Sequence, residues 1–199
     1  MTPDPFTFDL NGIRVHRAAR DHGQPQIAGM SDPFRQVAVC PFTIVVSNNE
    51  VVHGMDYTFS NIPSEDDQLI VVPTIARYLK TGDYALDGLE DRCCVERKQL
   101  EDLFTCCGKD RRRFRAEVER MAEMEFAVVV IEADWREITN PVEYRPGWES
   151  QMSPYSVTET IAAWSIRYPR VHWWACGSRR EAEKRTFSIL RKFYHERKM

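Results

Sequence analysis

The sequence lacks three features that would each place it in a broad class of protein. No apolar run approaches the roughly 20 residues that a membrane-spanning helix needs, so we expect no contact with a membrane. The first residues show no basic segment followed by an apolar one, so we expect no secretory signal. None of the six cysteines is spaced as Cys-x-x-Cys, which argues against a zinc ribbon or a thioredoxin-type redox site.

An excess of positive charge is also missing. The 27 Lys and Arg residues stand against 30 Asp and Glu residues, and the formal net charge is −3. Basic residues must therefore be clustered if the protein binds nucleic acid. With 43% hydrophobic residues in 199, the chain is long and apolar enough to bury a core as one domain. The pairs Cys93-Cys94 and Cys106-Cys107 lie in apolar runs, which indicates buried thiols and a cytoplasmic location.

Composition divides the chain into an arm and a folded domain. Residues 1–40 are rich in Pro, Gly, His and Asp, and we predict an irregular N-terminal arm with a short strand near Gly12–Val15. Residues 41–199 carry the periodic apolar patterns of secondary structure. Extended segments are predicted at 42–46, 56–59, 69–72, 74–79, 84–86, 92–97, 127–131 and 171–175, with an acidic loop at 64–68.

The second half of the chain switches to a helical period. Leu100, Leu103, Phe104 and Cys107 share one helical face, and a second amphipathic helix is predicted over 110–125. Capping boxes at 156–159 and 178–181 predict the starts of two further helices. Alternating strands and helices predict an α/β fold.

One segment carries a pattern that suggests chemistry. Glu96 and Lys98 lie two apart on a predicted strand, so both side chains leave the same face of the sheet. Asp83 follows Gly82 at a bend before the neighbouring strand, and a hairpin would bring its carboxylate beside Glu96. Two carboxylates can hold Mg²⁺, and a lysine can orient water or contact a phosphate. This combination is what metal-assisted phosphodiester hydrolysis needs.

A less specific interpretation must be weighed against this one. A charged strand end is usually a solvated edge, and Glu-x-Lys occurs often by chance. Cys93, Cys94 and Val95 make the preceding strand apolar enough for the core, however. Three charges that follow a buried run are costly without partners or a metal ion.

These residues resemble the nuclease domain of the XPF/Hef family of structure-specific endonucleases. The family signature is Gly-Asp, then Glu-Arg-Lys, then three residues and Asp; here it reads Gly82-Asp83, Glu96-Arg97-Lys98 and Asp102. The segments 113–117 and 126–132 also resemble the family pattern, and residues 163–164 and 177–178 do so more weakly. The resemblance covers roughly residues 42–195.

The resemblance implies a restriction-endonuclease-like core, with a central mixed sheet flanked by helices. It implies Mg²⁺- or Mn²⁺-dependent cleavage of branched or flap-like DNA, with Asp83 and Glu96 as metal ligands and Lys98 as the residue that activates water or contacts phosphate. Arg97 would be a structural or phosphate contact, and Asp102 would orient the basic pair. Family members typically dimerise through this domain, so the resemblance implies a homodimer or heterodimer.

The chain also departs from the family pattern. Members usually carry Asp-x-Arg-Glu at the end of the first core strand, and the same place here reads Ser47-Asn48-Asn49-Glu50. Only Glu50 matches, as an additional candidate ligand, and the missing carboxylate is expected to weaken metal binding. Asp56 or His53 could substitute for it. We expect no tandem helix-hairpin-helix module after the nuclease domain, which is a second departure from the family pattern.

Two basic segments could contact DNA. Residues 109–120 contain six Lys or Arg against three acids, and residues 178–199 contain eight against three. Solvated helix faces are the commoner explanation for such charges. The apolar face of the last helix fits either a dimer interface or an intramolecular core. We expect Trp164, Trp173 and Trp174 in the core, and His172 as a satisfied polar position and no metal ligand.

Three functional hypotheses remain open at this point. The first is a metal-dependent DNA endonuclease acting in repair, recombination or phage DNA processing, associated with the nucleoid if the protein is bacterial or viral. The second is a catalytically impaired, nuclease-like scaffold that binds DNA or pairs with an active partner. The third is a restriction-type or junction-resolving nuclease with the same core, which shares the chemistry of the first and differs in its choice of DNA.

Overall fold

The computed structural model describes residues 7–10, 13–16, 37–60, 62–63 and 69–198, which form a mixed α/β structure. The strands, in chain order, are β1 Thr7–Leu10, β2 Ile13–His16, β3 Val37–Val39, β4 Ile44–Ser47, β5 Ile62–Pro63, β6 Leu69–Val71, β7 Pro73–Arg77, β8 Tyr84–Leu86, β9 Cys93–Lys98, β10 Phe126–Ile131 and β11 Val171–Ala175. The helices are α1 Asn48–Val52, α2 Leu100–Cys107, α3 Arg111–Met121, α4 Trp135–Thr139, α5 Pro141–Tyr144, α6 Pro154–Arg167 and α7 Arg179–Lys198.

Within these ranges the main sheet has eight strands in the order β1-β2-β7-β4-β8-β9-β10-β11. Strand β8 is antiparallel to both β4 and β9, whereas β9, β10 and β11 run parallel to one another. Strands β3, β6 and β5 form a smaller sheet of their own. The predicted central mixed sheet is confirmed, and β9 lies inside it.

Helices cover the main sheet on both faces, and each face has its own hydrophobic cluster. One cluster packs α7 against β4, β8 and the residues Cys93 and Val95 of β9. The other packs α2, α3 and α6 against Cys94 and the alternate residues of β10. Because side chains alternate along a strand, β9 contributes to both clusters.

The apolar periodicity of the second half is confirmed in α2 and α3. Leu100, Leu103, Phe104 and Cys107 are all buried, and α2 ends at Gly108. The wide apolar face of α7 packs inside the chain through residues such as Leu190 and Phe193, so the intramolecular alternative accounts for it.

Several predictions about local structure were wrong. Residues 56–59 form no strand; Tyr57 and Phe59 are buried instead. Helix α6 begins at Pro154, and its N-cap is Ser153, whose hydroxyl accepts from the Ser156 N–H at 3.1 Å, so no capping box begins at Ser156. Half of the capping box predicted at Ser178 forms in the described residues, since the Ser178 hydroxyl accepts from the Glu181 N–H at 3.2 Å, and α7 begins at the next residue.

The predicted irregular arm contains strands in the parts that the structure describes. Strands β1 and β2 form an antiparallel hairpin, and β2 pairs with β7 to extend the main sheet. Strand β3 pairs with β6. The predicted acidic loop at 64–68 lies outside the described residues. No helix in the described ranges is long and apolar enough to cross a membrane.

The tryptophans differ from one another in burial. Trp164 lies in the core as predicted, but Trp174 is exposed, with the guanidinium of Arg185 4.9 Å from its ring centre. His172 is exposed on β11, and its ring stacks on Phe126 at 4.6 Å. The cysteines at 40, 93, 94, 106 and 107 are buried as free thiols, and burial raises the pKa of Cys93 to about 12.

Candidate active site

Asp83 lies in the loop that leads into β8, and three contacts fix its position. Its backbone N–H donates to Val95 O at 2.9 Å, and its carbonyl accepts from the Ser47 N–H at 2.8 Å. Its carboxylate oxygen Oδ2 accepts from the backbone N–H of Arg97 at 2.8 Å. The loop therefore holds Asp83 against both neighbouring strands, β4 and β9.

Gly82 is the residue that permits this close approach. Its φ is +78°, a region that favours glycine, and a Cβ atom at this position would lie 2.7 Å from Cys94 Cβ. The Gly-Asp pair of the sequence thus has a steric cause, because the loop passes directly over β9.

Glu96 and Lys98 occupy the end of β9 on one face, as their spacing predicts. The Lys98 ammonium donates to Glu96 Oε1, and it also donates to Arg97 O at 3.3 Å. The same ammonium lies 5.0 Å from the ring centre of Phe114 on α3. Glu96 is buried, while Asp83 and Lys98 are partly accessible to solvent.

These side chains influence one another's pKa. Burial, and then the Glu96 carboxylate, raise the pKa of Asp83 well above its usual value, and Lys98 offsets part of this rise. Burial lowers the pKa of Lys98, but Glu96 and Asp83 outweigh burial and raise it overall. Lys98 therefore stays an ammonium ion at neutral pH.

Arg97 points to the opposite face of β9 and is buried in an ion-pair network. Its side chain is 4% exposed, and its guanidinium donates to both oxygens of Glu132, through Nε at 2.7 Å and Nη2 at 3.1 Å. Tyr57 and Arg179 donate to Glu132 Oε1 as well, at 3.0 and 3.3 Å. Between the two roles expected for Arg97, this burial favours the structural one.

Glu50 connects this network with the proposed ligands. It lies on α1, where its Oε2 accepts from Arg97 Nη1 at 3.2 Å and from the Tyr84 hydroxyl at 3.5 Å. Burial raises the pKa of Glu50, Arg97 opposes this, and Glu96 adds to the rise. The carboxylates of Glu50, Asp83 and Glu96 therefore influence one another at one edge of the sheet.

Ser47 stands where the family pattern has an acid, and the structure uses it as a helix cap. Its hydroxyl accepts from the Asn49 N–H at 3.4 Å at the start of α1. Of the two suggested substitutes, His53 is the exposed C-cap residue of α1, and Asp56 accepts from Arg179 through its backbone oxygen at 2.8 Å.

Asp102 is the one predicted site residue that lies apart. Its side chain is exposed in the first turn of α2, and in the described part of the chain Arg97 and Lys98 hydrogen-bond to other groups. Within the described ranges, no contact supports its proposed orienting role.

The cluster offers oxygen ligands for a divalent cation. Across the described ranges, no three His, Cys, Asp or Glu side chains are arranged to hold a metal ion together. Among the described residues, hydrogen bonds are made to Asp83 Oδ2 and Glu96 Oε1, which leaves Asp83 Oδ1 and Glu96 Oε2 as oxygen atoms that could bind a cation. Magnesium commonly binds through one or two carboxylates, with water and substrate phosphates completing its shell, so this donor set fits it.

Sequence reasoning missed three contacts at this edge, made by Glu132, Glu117 and Arg179. Glu132 follows the buried run of β10, which pairs with β9 in register, so the end of a neighbouring strand was the available signal. Glu117 lies on α3, and its Oε1 accepts from the Gly82 N–H at 3.3 Å. Arg179 was counted only as part of a basic helix.

A family model for the ERCC4 domain matches residues 51–187, which is more than half of the chain. The chain belongs to the ERCC4 domain family. The prediction of an XPF-type nuclease domain is thereby confirmed at the level of family, and the signature residues from Gly82 to Asp102 all lie within the match.

A solved structure of XPF from Aeropyrum pernix, with a TM-score of 0.52, shows the same fold as this ERCC4 domain. It is 19% identical, and the match covers 76% of this chain and 65% of that chain. A second structure, XPF from Aeropyrum pernix in complex with DNA, is 20% identical with a TM-score of 0.48, covering 78% of this chain and 66% of that chain. The chain thus spans about two thirds of these structures. A search of curated proteins finds no match.

Proposed function

We propose that this ERCC4 domain is an endonuclease that hydrolyses phosphodiester bonds in branched or flap-like DNA with Mg²⁺ or Mn²⁺. The observation that carries the proposal is the meeting of Asp83, Glu96 and Lys98 on one face of β9 and its neighbouring loop. The partial exposure of Asp83 and Lys98 supports access for a phosphate group. Repair, recombination and phage DNA processing are the settings in which such an activity would act.

Asp83 and Glu96 would hold the cation. A bound divalent ion stabilises negative charge on the phosphate and acidifies a bound water. Lys98 contributes a fixed positive charge, since Glu96 and Asp83 keep it protonated. We therefore assign Lys98 to contact the phosphate or to orient the water, and not to accept its proton.

Exposed arginines on α3 support contact with DNA. Arg112 and Arg113 are exposed on α3, the helix whose Phe114 ring lies under the Lys98 ammonium. Such side chains can neutralise backbone phosphates on either side of the bond that is cut, without reading sequence.

A second candidate function follows from Ser47. The hydroxyl that caps α1 supplies no negative charge, so the site has one carboxylate fewer than the family pattern. The alternative is therefore a catalytically impaired scaffold that binds DNA or pairs, as a homodimer or heterodimer, with an active copy. The buried apolar face of α7 adds no support for a dimer through that helix.

The test is cleavage of a panel of labelled flaps, forks, bubbles and plain duplex with Mg²⁺ or Mn²⁺ and after addition of a chelator. We expect cutting of the branched substrates, lost on chelation, and a fall of about a hundredfold in Glu96→Gln and Lys98→Ala. Glu123→Gln, an exposed acid beyond the end of α3, is the matched control and should cut like the wild type. Thermal melting shows whether each variant is folded.

A wild-type protein that cuts nothing with either metal would overturn the proposal. If such an inert protein still binds the branched substrates in a fluorescence anisotropy assay, the scaffold candidate replaces it.

A further inference from the structure

Glu117 makes an unusual link between α3 and the loop that carries Asp83. Its Oε1 accepts from the backbone N–H of Gly82 at 3.3 Å, and its Oε2 accepts from Arg120 Nη2 at 2.7 Å. Arg120 also donates through Nε to the Thr81 hydroxyl at 3.3 Å. One carboxylate and its arginine thus contact the two residues that precede Asp83.

The loop has little freedom on its other sides. Gly82 lies against Cys94, and Asp83 is tied through its backbone to Val95 and Ser47. Within the described ranges, Glu117 supplies the side-chain acceptor for the Gly82 N–H. The Gly82 N–H belongs to the peptide that joins Thr81 to Gly82, so this contact fixes the main chain directly before Asp83 and thereby limits where the Asp83 carboxylate points.

A charge argument indicates that the contact is more than a fortuitous surface pair. The Glu117 side chain is 24% exposed, and burial followed by repulsion from Glu96 raises its pKa. An acid placed there costs free energy, which the Gly82 N–H and Arg120 offset only in part. Residues whose pKa is shifted by burial and by a neighbouring charge are found preferentially at functional sites.

We propose that Glu117 is a positioning residue, which holds the Gly82 peptide so that the Asp83 carboxylate stays beside Glu96 and Lys98. This inference rests on the proposed function, since it assigns Glu117 a task in presenting Asp83 to a cation. Groups that orient a ligand in this way typically contribute tenfold to a hundredfold in metal affinity.

Four variants separate the hydrogen bond from the charge. Glu117→Ala removes both, Glu117→Gln keeps an acceptor oxygen without the charge, and Glu117→Asp keeps the charge on a shorter side chain that cannot reach Gly82. Glu119→Ala is the control on the same helix, because its carboxylate contacts Arg115 and Tyr168 on the exposed side.

The first measurement is hydrogen exchange of the Gly82 amide by NMR, which needs neither metal nor activity. We expect faster exchange in Glu117→Ala and Glu117→Asp, and near wild-type exchange in Glu117→Gln and Glu119→Ala. If the alanine variant fails to fold, the aspartate variant carries the comparison.

The second measurement is the Mg²⁺ affinity of the protein by calorimetry. Glu117→Ala and Glu117→Asp should bind Mg²⁺ about tenfold more weakly, while Glu117→Gln stays within about threefold of the wild type. Unchanged exchange and affinity in Glu117→Ala would overturn the inference, and so would an equal loss in the Ala and Gln variants. A wild-type protein without nuclease activity would overturn the proposed function but leave the exchange result interpretable.

Discussion

The Asp83 carboxylate accepts a hydrogen bond from the backbone N–H of Arg97, 2.8 Å away and midway between Glu96 and Lys98 in the chain. One residue of β9 therefore serves two purposes. Its main chain anchors the acid of the neighbouring loop, and its side chain turns to the other face and pairs with Glu132. The position of Asp83 thus depends on backbone geometry in the centre of the sheet.

The titration of Asp83 should make the free energy of unfolding of the metal-free protein fall as pH rises. Its folded-state pKa lies above the ordinary value of 3.8, so the folded protein binds more protons than the unfolded one, and stability falls as pH rises above that value. Asp83→Asn should therefore melt at a higher temperature than the wild type at pH 9 in a chelator, and the gap should shrink towards pH 4. Asp91→Asn, at an exposed turn, should show no such gap. A lower melting temperature for Asp83→Asn at pH 9 would contradict this account.

Gly82→Ala should be much more damaging than Gly88→Ala. Both glycines have φ near +80°, but a Cβ at Gly88 meets open space, whereas one at Gly82 lies 2.7 Å from Cys94 Cβ. We expect Gly88→Ala to cost about 1–2 kcal/mol of unfolding free energy from backbone strain, and Gly82→Ala a further 1–3 kcal/mol from the clash. Urea unfolding of both variants measures the difference, and equal losses would show that the loop relaxes away from β9.

Arg97→Met should destabilise the protein strongly. It removes the guanidinium that pairs with Glu132, and the Glu132 carboxylate stays buried with fewer positive partners. Breaking a buried pair typically costs about 3–5 kcal/mol. The double variant Arg97→Met/Glu132→Gln should be more stable than Arg97→Met alone, since both charges are then removed. Arg115→Met, which breaks an exposed pair with Glu119, should change little. Chemical denaturation measures all of these variants, and a double variant less stable than the single one would reject the ion pair as the cause.

Ser47→Asp should raise Mg²⁺ affinity and cleavage. Aspartate caps a helix about as well as serine, so α1 is retained, and a carboxylate is added at the end of β4. Ser47→Asn is the matched control, because it keeps the cap without the charge. Calorimetry with Mg²⁺ distinguishes the two variants; if both bind the cation equally, the charge at position 47 is irrelevant to the site.

Arg112 and Arg113 should contribute to DNA binding through phosphate contacts. Replacing both with alanine should reduce the slope of log affinity against log salt concentration by about two, since each phosphate contact contributes about 0.9 on duplex DNA. Arg170→Ala is the control, because Arg170 is exposed just before β11, at the opposite end of the parallel strands. Anisotropy titrations over a salt series give the slopes. Equal slopes for the wild type, the double alanine variant and Arg170→Ala would show that these arginines of α3 do not contact DNA.

Local patterns predicted what depends on neighbours in the chain. The period of two placed Glu96 and Lys98 on one face, and the helical period placed Leu103 and Phe104 in the core. The apolar alternation of Tyr57 and Phe59 was misleading, because both rings are buried without forming a strand. Phe59 has a φ of +51°, and its N–H donates to the buried carboxylate of Glu183.

Contacts between distant positions could not be predicted in the same way. Glu117 reaches Gly82 across 35 positions, and Glu132 reaches Arg97 across the same separation. No local period specifies which acid on a helix or strand end meets which partner, since tertiary packing decides it. The metal role of Asp83 and Glu96 remains a prediction, as does the orienting role of Asp102.

Side chains alternate between the two faces of β9, so residues that stabilise the fold and residues proposed for catalysis lie on opposite faces of one strand. Val95 and Arg97 belong to the layer under α7, whereas Cys94, Glu96 and Lys98 face α2 and α3. A gene duplicate could thus lose Glu96 and Lys98 together and keep its architecture, while a change at Arg97 alone would destabilise the fold. Among related domains, a sequence that keeps Arg97 but lacks Glu96 and Lys98 would be expected to fold without nuclease activity. A sequence that keeps all three residues would be expected to be active.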